Sequence, residues 1–220
     1  MPLNRPLCRG FTLIELLVAI TVMALMALLS WRGLDGMSRA QVQTQARADE
    51  VLTLQAGLAQ WKADLDALAE SPQISSLDWN GRVLRITRRG SATAGDGLRV
   101  VAWTRRAGDG GFWLRWQSPA LYTRGDWQTG WTQAERWAQN PGDEEKKREV
   151  TILPLDDWQL FYFRGDAWSN PLSSNGTPAV PAQSSVPEGL RAVLTLPPGL
   201  AVSGRITLDW VRPTVGGGKS

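Results

Sequence analysis

The chain of 220 residues contains no histidine. That removes the commonest general base and the commonest ligand for transition metals. Cysteine occurs once, at Cys8, so no internal disulfide and no zinc–thiolate cluster can form. Neither Gly-x-x-x-x-Gly-Lys-Ser/Thr nor Gly-x-Gly-x-x-Gly is present, and with them go the common phosphate-cradling loops. Asp109 and the pair Asp156-Asp157 offer oxygen ligands for calcium, but without the ligand density such a site needs. Turn and surface roles are the expectation for all three. No catalytic residue, cofactor or metal is expected, and the chain does not read as an enzyme.

What is present is concentrated at the N-terminus. Arg9-Gly10-Phe11-Thr12-Leu13-Ile14-Glu15 leads without a spacer into an apolar stretch ending at Trp31. Residues 11–31 carry one formal charge, Glu15, and as an α-helix they rise about 31 Å, enough to cross a bilayer core. A secretory signal is cut after its apolar core, at small residues. Here the expected cut precedes the core, after Gly10, so the apolar helix stays on the mature chain. The segment Gly10-Phe-Thr-Leu-Ile-Glu15 resembles the site used by prepilin peptidase in type IV pilins and in the pseudopilins of type II secretion.

That resemblance implies cleavage between Gly10 and Phe11 and methylation of the new amine on Phe11 by the same enzyme. It also implies that Glu15 offsets the charged amine of a neighbouring subunit during assembly. Ionisable groups inside a membrane helix are costly alone and tolerable as a pair. A plain signal anchor would leave Glu15 without a task, unless it snorkels to the nearby interface. Arg5 and Arg9 precede the helix while Arg32 and Arg39 follow it, so charge bias does not fix orientation. A single pass through the bacterial inner membrane, with the C-terminal body in the periplasm, is implied by the resemblance. Cleavage removes Cys8, Arg5 and Arg9, and the formal charge falls from +3 to about +1. No nucleic-acid partner is expected.

Beyond the membrane span, Val51, Leu54, Leu58, Trp61, Leu65 and Leu68 recur in steps of three and four. This is one apolar helix face to be laid on a sheet. Gln55, Gln60, Lys62, Asp64 and Asp66 are assigned to its other faces. Gly33 and Gly36 between the two halves weaken the helix by about 1 kcal/mol each, which marks a bend or a locally melted stretch. Ser71-Pro72 supplies a stop. Period-two alternation then predicts strands over 82–88, 98–104, 112–117, 150–154, 158–163, 190–196 and 205–212. Val101 and Trp103 are expected on one face of the second strand, with Val100 and Ala102 on the other. Ile206, Leu208 and Trp210 form an inner row of the last. One long helix followed by strands makes the class α+β, with mainly antiparallel sheet. The organisation expected is a leader over 1–10, a transmembrane helix over 11–31 and its amphipathic continuation over 32–70. A β-rich domain follows over 71–214, then a flexible tail over 215–220. Residues 140–149 and 169–187 read as irregular.

Twelve tryptophans are present. Trp103, Trp113, Trp116, Trp158 and Trp210 fall in strand patterns and are expected in the core. Trp127, Trp131 and Trp137 occupy a less regular segment and are candidates for an exposed contact surface.

The whole chain resembles the J-class minor pseudopilin of type II secretion. The resemblance rests on Trp31-Arg32-Gly33-Leu34-Asp35-Gly36, on overall size, and on the closing strands from Val186 to Pro197 and from Gly204 to Leu208. Arg32 stands where major pilins commonly carry a helix-bending proline. The fold implied is pilin-like, with the long helix packed on the sheet. The function implied is that of a subunit at the tip of a secretion pseudopilus, helping to start the filament. The partners implied are prepilin peptidase, I-class and K-class minor pseudopilins, the major pseudopilin and exported proteins. A minor type IV pilin and a membrane-anchored periplasmic binding module remain as alternatives.

Overall fold

The computed structural model describes residues 11–90, 95–108, 110–173 and 186–213. The leader over 1–10 with its Gly10, Asp109, the middle of the irregular 169–187 stretch, and the tail lie outside the described residues. The chain divides into two units, Met1–Ala48 and Asp49–Ser220.

Helix α1 (Leu13–Asp66) supplies the first unit and opens the second. In the first unit every described side chain is exposed. Helical hydrogen bonding continues through Gly33 and Gly36, so the expected weak point is helical, and an added Cβ at either glycine would meet nothing within 4 Å.

In the second unit the strands are β1 (Leu77–Trp79), β2 (Val83–Arg89), β3 (Leu98–Arg106), β4 (Phe112–Gln117) and β5 (Glu149–Pro154). They continue as β6 (Asp157–Arg164), β7 (Ala167–Ser169), β8 (Gly189–Leu196) and β9 (Gly204–Val211). They form a five-stranded sheet ordered β1-β2-β3-β4-β5 and a four-stranded sheet ordered β7-β6-β8-β9. Every pairing between these strands is antiparallel. With α1 ahead of them, the class is α+β.

The central strands of the first sheet, β2 to β4, are buried on both faces. Leu84 pairs with Trp103 and Ile86 with Val101, and all four join the core beneath α1 and the second sheet. Val83, Val100 and Ala102 point the other way into a second core. An antiparallel strand solvated on one side would alternate apolar with polar; β3 shows apolar residues on both sides because both sides are covered.

The cover on the second side is α2 (Arg124–Gln139), a helix in the segment that the sequence reading left without a regular element. Trp127, Trp131 and Trp137, candidates for an exposed contact surface, are instead buried with Ala134 against β2, β3 and β4. Trp127 Nε1 donates to Thr87 Oγ1 at 2.9 Å and Trp137 Nε1 to Glu149 Oε2 at 2.7 Å. The guanidiniums of Arg85 and Arg106 sit 4.8 and 5.3 Å from the ring centroids of Trp131 and Trp137. Thr123 and Asp126 cap the helix reciprocally, each side chain taking the other's backbone N–H at 3.1 Å. Within the irregular 140–149 stretch a short helix, α3 (Asp143–Lys146), forms.

The apolar face of α1 reads as expected: Leu54, Trp61 and Leu65 are buried. Trp61 sits 5.3 Å from Trp103, 5.7 Å from Trp113 and 6.2 Å from Trp158. The helix ends at Asp66 because the next residues leave to pair with β2, Ala69 N–H bonding to Thr87 O and Arg89 N–H to Ala67 O. Gly57 is the close-approach position. A Cβ there would fall 2.4 Å from Ile152 Cγ2 on β5. Gly57→Val is expected to destabilise the second unit by about 2 kcal/mol through this overlap, despite valine's lower backbone entropy. Chemical denaturation would show it as a lower midpoint with unchanged slope.

In the second sheet, Ile206 and Leu208 are half-buried, Trp210 is buried, and all three contact the core as predicted. Tyr162 lies among them with its hydroxyl buried and, among the described residues, unbonded. Burial, reinforced by Asp78, pushes its pKa up, so the phenol stays neutral. An orphaned buried hydroxyl costs more than it contributes, so Tyr162→Phe is expected to stabilise the protein by about 1 kcal/mol. A lower melting temperature in that variant would reveal a partner for the hydroxyl.

Candidate functional site

The N-terminal site begins at Phe11, which is 87% exposed. Thr12 then starts α1 with a reciprocal cap. Its backbone N–H and its Oγ1 donate to Glu15 Oε2 at 2.9 and 2.8 Å, and Glu15 N–H reaches Thr12 Oγ1 at 3.4 Å. This is the capping-box arrangement, in which threonine and glutamate each satisfy an orphaned helix donor. Both donors converge on Oε2; among the described residues Oε1 accepts none. Glu15 can thus hold its own helix end and still present an oxygen to another group. Cleavage and methylation at Gly10–Phe11 remain expectations, since Gly10 lies outside the described residues.

The helix that follows contains one window long and apolar enough to cross a membrane, with mean hydropathy 2.5 and none of it buried within the protein. Ile14, Leu17, Met23 and Leu28 are among its exposed side chains. An isolated water-soluble domain does not leave such a length of apolar surface uncovered.

The second charged centre was not found by the sequence reading. Asp64, assigned there to an outer face, is fully buried. Its Oδ1 accepts from Gln60 Nε2 and Arg115 Nη2 at 2.9 Å each, and from Arg88 Nη1. Oδ2 accepts from Arg115 Nε at 2.8 Å and Trp103 Nε1 at 2.9 Å. One carboxylate thereby ties α1 to β2, β3 and β4. The signal was available: Asp64 lies three residues after Trp61 and so shares its face. Its two charged partners project from strands beside the core tryptophans.

This centre has the look of a structural lock, not of chemistry. Two guanidiniums hold the carboxylate, leaving no reactive oxygen facing solvent. Among the described residues, no three or more His, Cys, Asp or Glu side chains gather as a metal site.

Three other aspartates carry a pH signature. The bidentate bond from Arg191 holds Asp209 below the usual carboxylate range. Thr123 does the same for Asp126 through its hydroxyl and N–H. Burial works against ionisation of Asp66, but bonds from Lys62 and Trp210 outweigh it and the net direction is downward. Lowered folded pKa values mean that the native state binds fewer protons than the unfolded chain. The stabilisation is present above the ordinary aspartate value of about 3.9 and is lost as pH falls through the folded values. With no histidine to titrate, melting temperature is expected to stay level between about pH 5 and 7 and to fall below about pH 4. A slope inside the neutral window would contradict this.

Residues 5–31, which include Gly10, Phe11 and Glu15, match the family model described as the prokaryotic N-terminal methylation motif. No curated protein matches the chain. Among solved structures, it is similar to a chain in the crystal structure of the GspK-GspI-GspJ complex from the enterotoxigenic Escherichia coli type 2 secretion system. That alignment has 15% identity and a TM-score of 0.45, and it covers 74% of this chain and 96% of the other.

Proposed function

We propose that this chain is a minor pseudopilin, made as a precursor and assembled into a type II secretion pseudopilus. The observation that carries the reading is the methylation motif over residues 5–31, whose apolar part lies in an exposed helix long enough to cross a membrane. On this reading prepilin peptidase cuts after Gly10 and methylates the amine of Phe11. The apolar helix anchors the chain in the inner membrane with its second unit in the periplasm. It leaves lipid only when its apolar surface is covered by neighbouring helices. Head-to-tail contacts of this kind are heterologous and build a helical fibre instead of a closed ring.

The finer assignment, a J-class subunit at the filament tip, is supported by the Trp31–Gly36 segment, the chain length and the closing strands. Its partners are then the I-class and K-class minor pseudopilins, with the major pseudopilin extending the fibre behind them. The deciding experiment is co-purification of the full-length chain, in detergent, with those two classes from the same cell. A stoichiometric complex supports the tip position. Capture of minor pilins from a surface pilus, with neither pseudopilin bound, would move the assignment to a minor type IV pilin. Mass spectrometry of the recovered chain is expected to show a mature N-terminus at Phe11 carrying one methyl group. A precursor still ending at Met1 would overturn the processing step.

A further inference from the structure

The two sheets end in β1 and β5 and in β7 and β9. An end strand leaves a row of backbone N–H and C=O groups unpaired, a template for another strand. Three of these ends are blunted. β1 and β7 hold three residues each, while β5 meets a register shift at Trp113/Leu114 and finishes on Pro154. β9 has no such device. It runs eight residues, Gly204–Val211, in unbroken register with β8 and contains no proline. Arg212 N–H bonds to Glu188 O in that same register, so the alternation of an antiparallel ladder turns the even-numbered backbone groups toward β8. Those of Arg205, Thr207, Asp209 and Val211 face the open edge. Among the described residues, no backbone bond reaches them from outside the sheet.

We propose that the occupant of this edge is β9 of a second copy of the chain, paired antiparallel about a two-fold axis through Thr207. The pairing would join two four-stranded sheets into one continuous sheet. Because only odd-numbered residues can bond across the edge, a symmetric pair must centre on a single residue in mid-strand. Centred on Ile206, it sets Arg205 opposite Thr207; centred on Leu208, it sets Asp209 opposite Thr207. Centred on Thr207, it sets Arg205 of each copy opposite Asp209 of the other, with Thr207 facing Thr207 between them. Opposite charges and paired threonines directly across a ladder both stabilise it. The register that the backbone allows is thus also the one that the side chains favour, and the strand is complementary to itself.

Two further observations fit this occupant. Arg205 is exposed and, among the described residues, has no ion-pair partner within its own copy. Asp209 takes Arg191 Nε and Nη2 at 2.7 and 2.6 Å, and its oxygens keep lone pairs for a second guanidinium. The inner row gives the second. Leu190, Ala192 and Leu194 on β8 are 0% exposed, whereas Ile206 and Leu208 on β9 are only half-buried. In the proposed register Ile206 of each copy stands beside Leu208 of the other on that inner side, so each covers the flank that the sheet leaves open. A two-fold contact closes on itself and does not propagate, which sets it apart from the head-to-tail contacts of a fibre. The inference does not rest on the filament assignment, and the two can fail separately.

The test is sedimentation equilibrium of the full chain in detergent. One strand pair is a small interface, so a dimer with a dissociation constant of about 10 μM to 1 mM is expected. Thr207→Pro removes an N–H that faces the edge, not β8, so the fold should survive while dimerisation weakens at least about tenfold. Circular dichroism confirms that the variant is folded. Register is read in a Cys8→Ser background with copper–phenanthroline and dissolved oxygen as the oxidant. Thr207→Cys should cross-link rapidly, because directly bonded residues lie about 5.5 Å apart, within disulfide reach. Val211→Cys should not, since the two copies of that position lie roughly 27 Å apart in this register. A chain that stays monomeric at about 500 μM would overturn the proposal. So would a folded Thr207→Pro that dimerises like the parent, as association through the membrane helix would, or equal cross-linking at both positions. Capture of a different chain at this edge, without self-association, would replace the second copy as occupant and overturn it too.

Discussion

Replacing Asp64 with alanine is expected to cost the second unit about 3–5 kcal/mol, the largest effect of any single substitution in its core. The cost comes from what remains. Arg88 and Arg115 are mostly buried, with 18% and 12% of their side chains exposed, and both lose their common counter-charge. Trp103 Nε1 loses its acceptor in a site closed to water. For a unit of this size each kcal/mol moves the melting temperature by about 2–4 °C, so a drop of roughly 10 °C is expected. Differential scanning calorimetry of the full chain would read it. Asp64→Leu with Arg88→Met and Arg115→Met removes the charges together and is expected to recover most of the loss, as apolar replacement of buried ion networks often does. A change below about 1 kcal/mol for Asp64→Ala would mean that the arginines find water, and that the lock is not a lock.

The second large effect is functional. If Glu15 meets the amine of a neighbour's Phe11, Glu15→Ala should leave cleavage and insertion intact and reduce filament incorporation at least about tenfold, the equivalent of 1.4 kcal/mol. The local cap must be separated from the charge. Losing the capping box alone costs about 1 kcal/mol of helix stability. Glu15→Gln keeps an oxygen for Thr12 but carries no charge, so it is the informative partner variant. Failure of both Ala and Gln variants in a pull-down of assembled filament supports charge pairing. Full incorporation by Glu15→Gln would make Glu15 only a cap and remove its assembly role.

How much of this could be read from the chain depended on which signals local spacing carries. The apolar run from Phe11 to Trp31 and the seven main strands announced themselves through period and composition. So did the two-faced character of β3, since Val100, Val101, Ala102 and Trp103 are apolar in sequence and must be covered on both sides. What covers the second side was misread. The segment from Arg124 to Gln139 holds Trp127, Trp131, Ala134 and Trp137 at helical spacing, behind a Thr-x-x-Asp cap. Gly125, Gly130 and its many polar residues masked that period, and its tryptophans were left as candidates for a contact surface. The error on Asp64 was of another kind. Its charge argued for solvent, while its position three residues beyond Trp61 argued for the core. Position prevailed because Arg88 and Arg115, distant in sequence, arrive to neutralise it. β1 and β7 are three residues each, too short for a period to show.

The indoles around Trp61 also make the second unit its own optical gauge. At 5.3 to 6.2 Å from Trp103, Trp113 and Trp158, the Trp61 ring is close enough for their transition dipoles to couple. The resulting split band in the ultraviolet dichroism spectrum depends on the angle and separation between a chromophore on α1 and chromophores on the two sheets. Trp103 and Trp113, 4.5 Å apart, would stay coupled if that stretch of α1 lifted from the sheets, but the part of the band that Trp61 contributes would be lost. Seating of the helix can therefore be followed during extraction from a membrane or capture by a partner, with no attached dye.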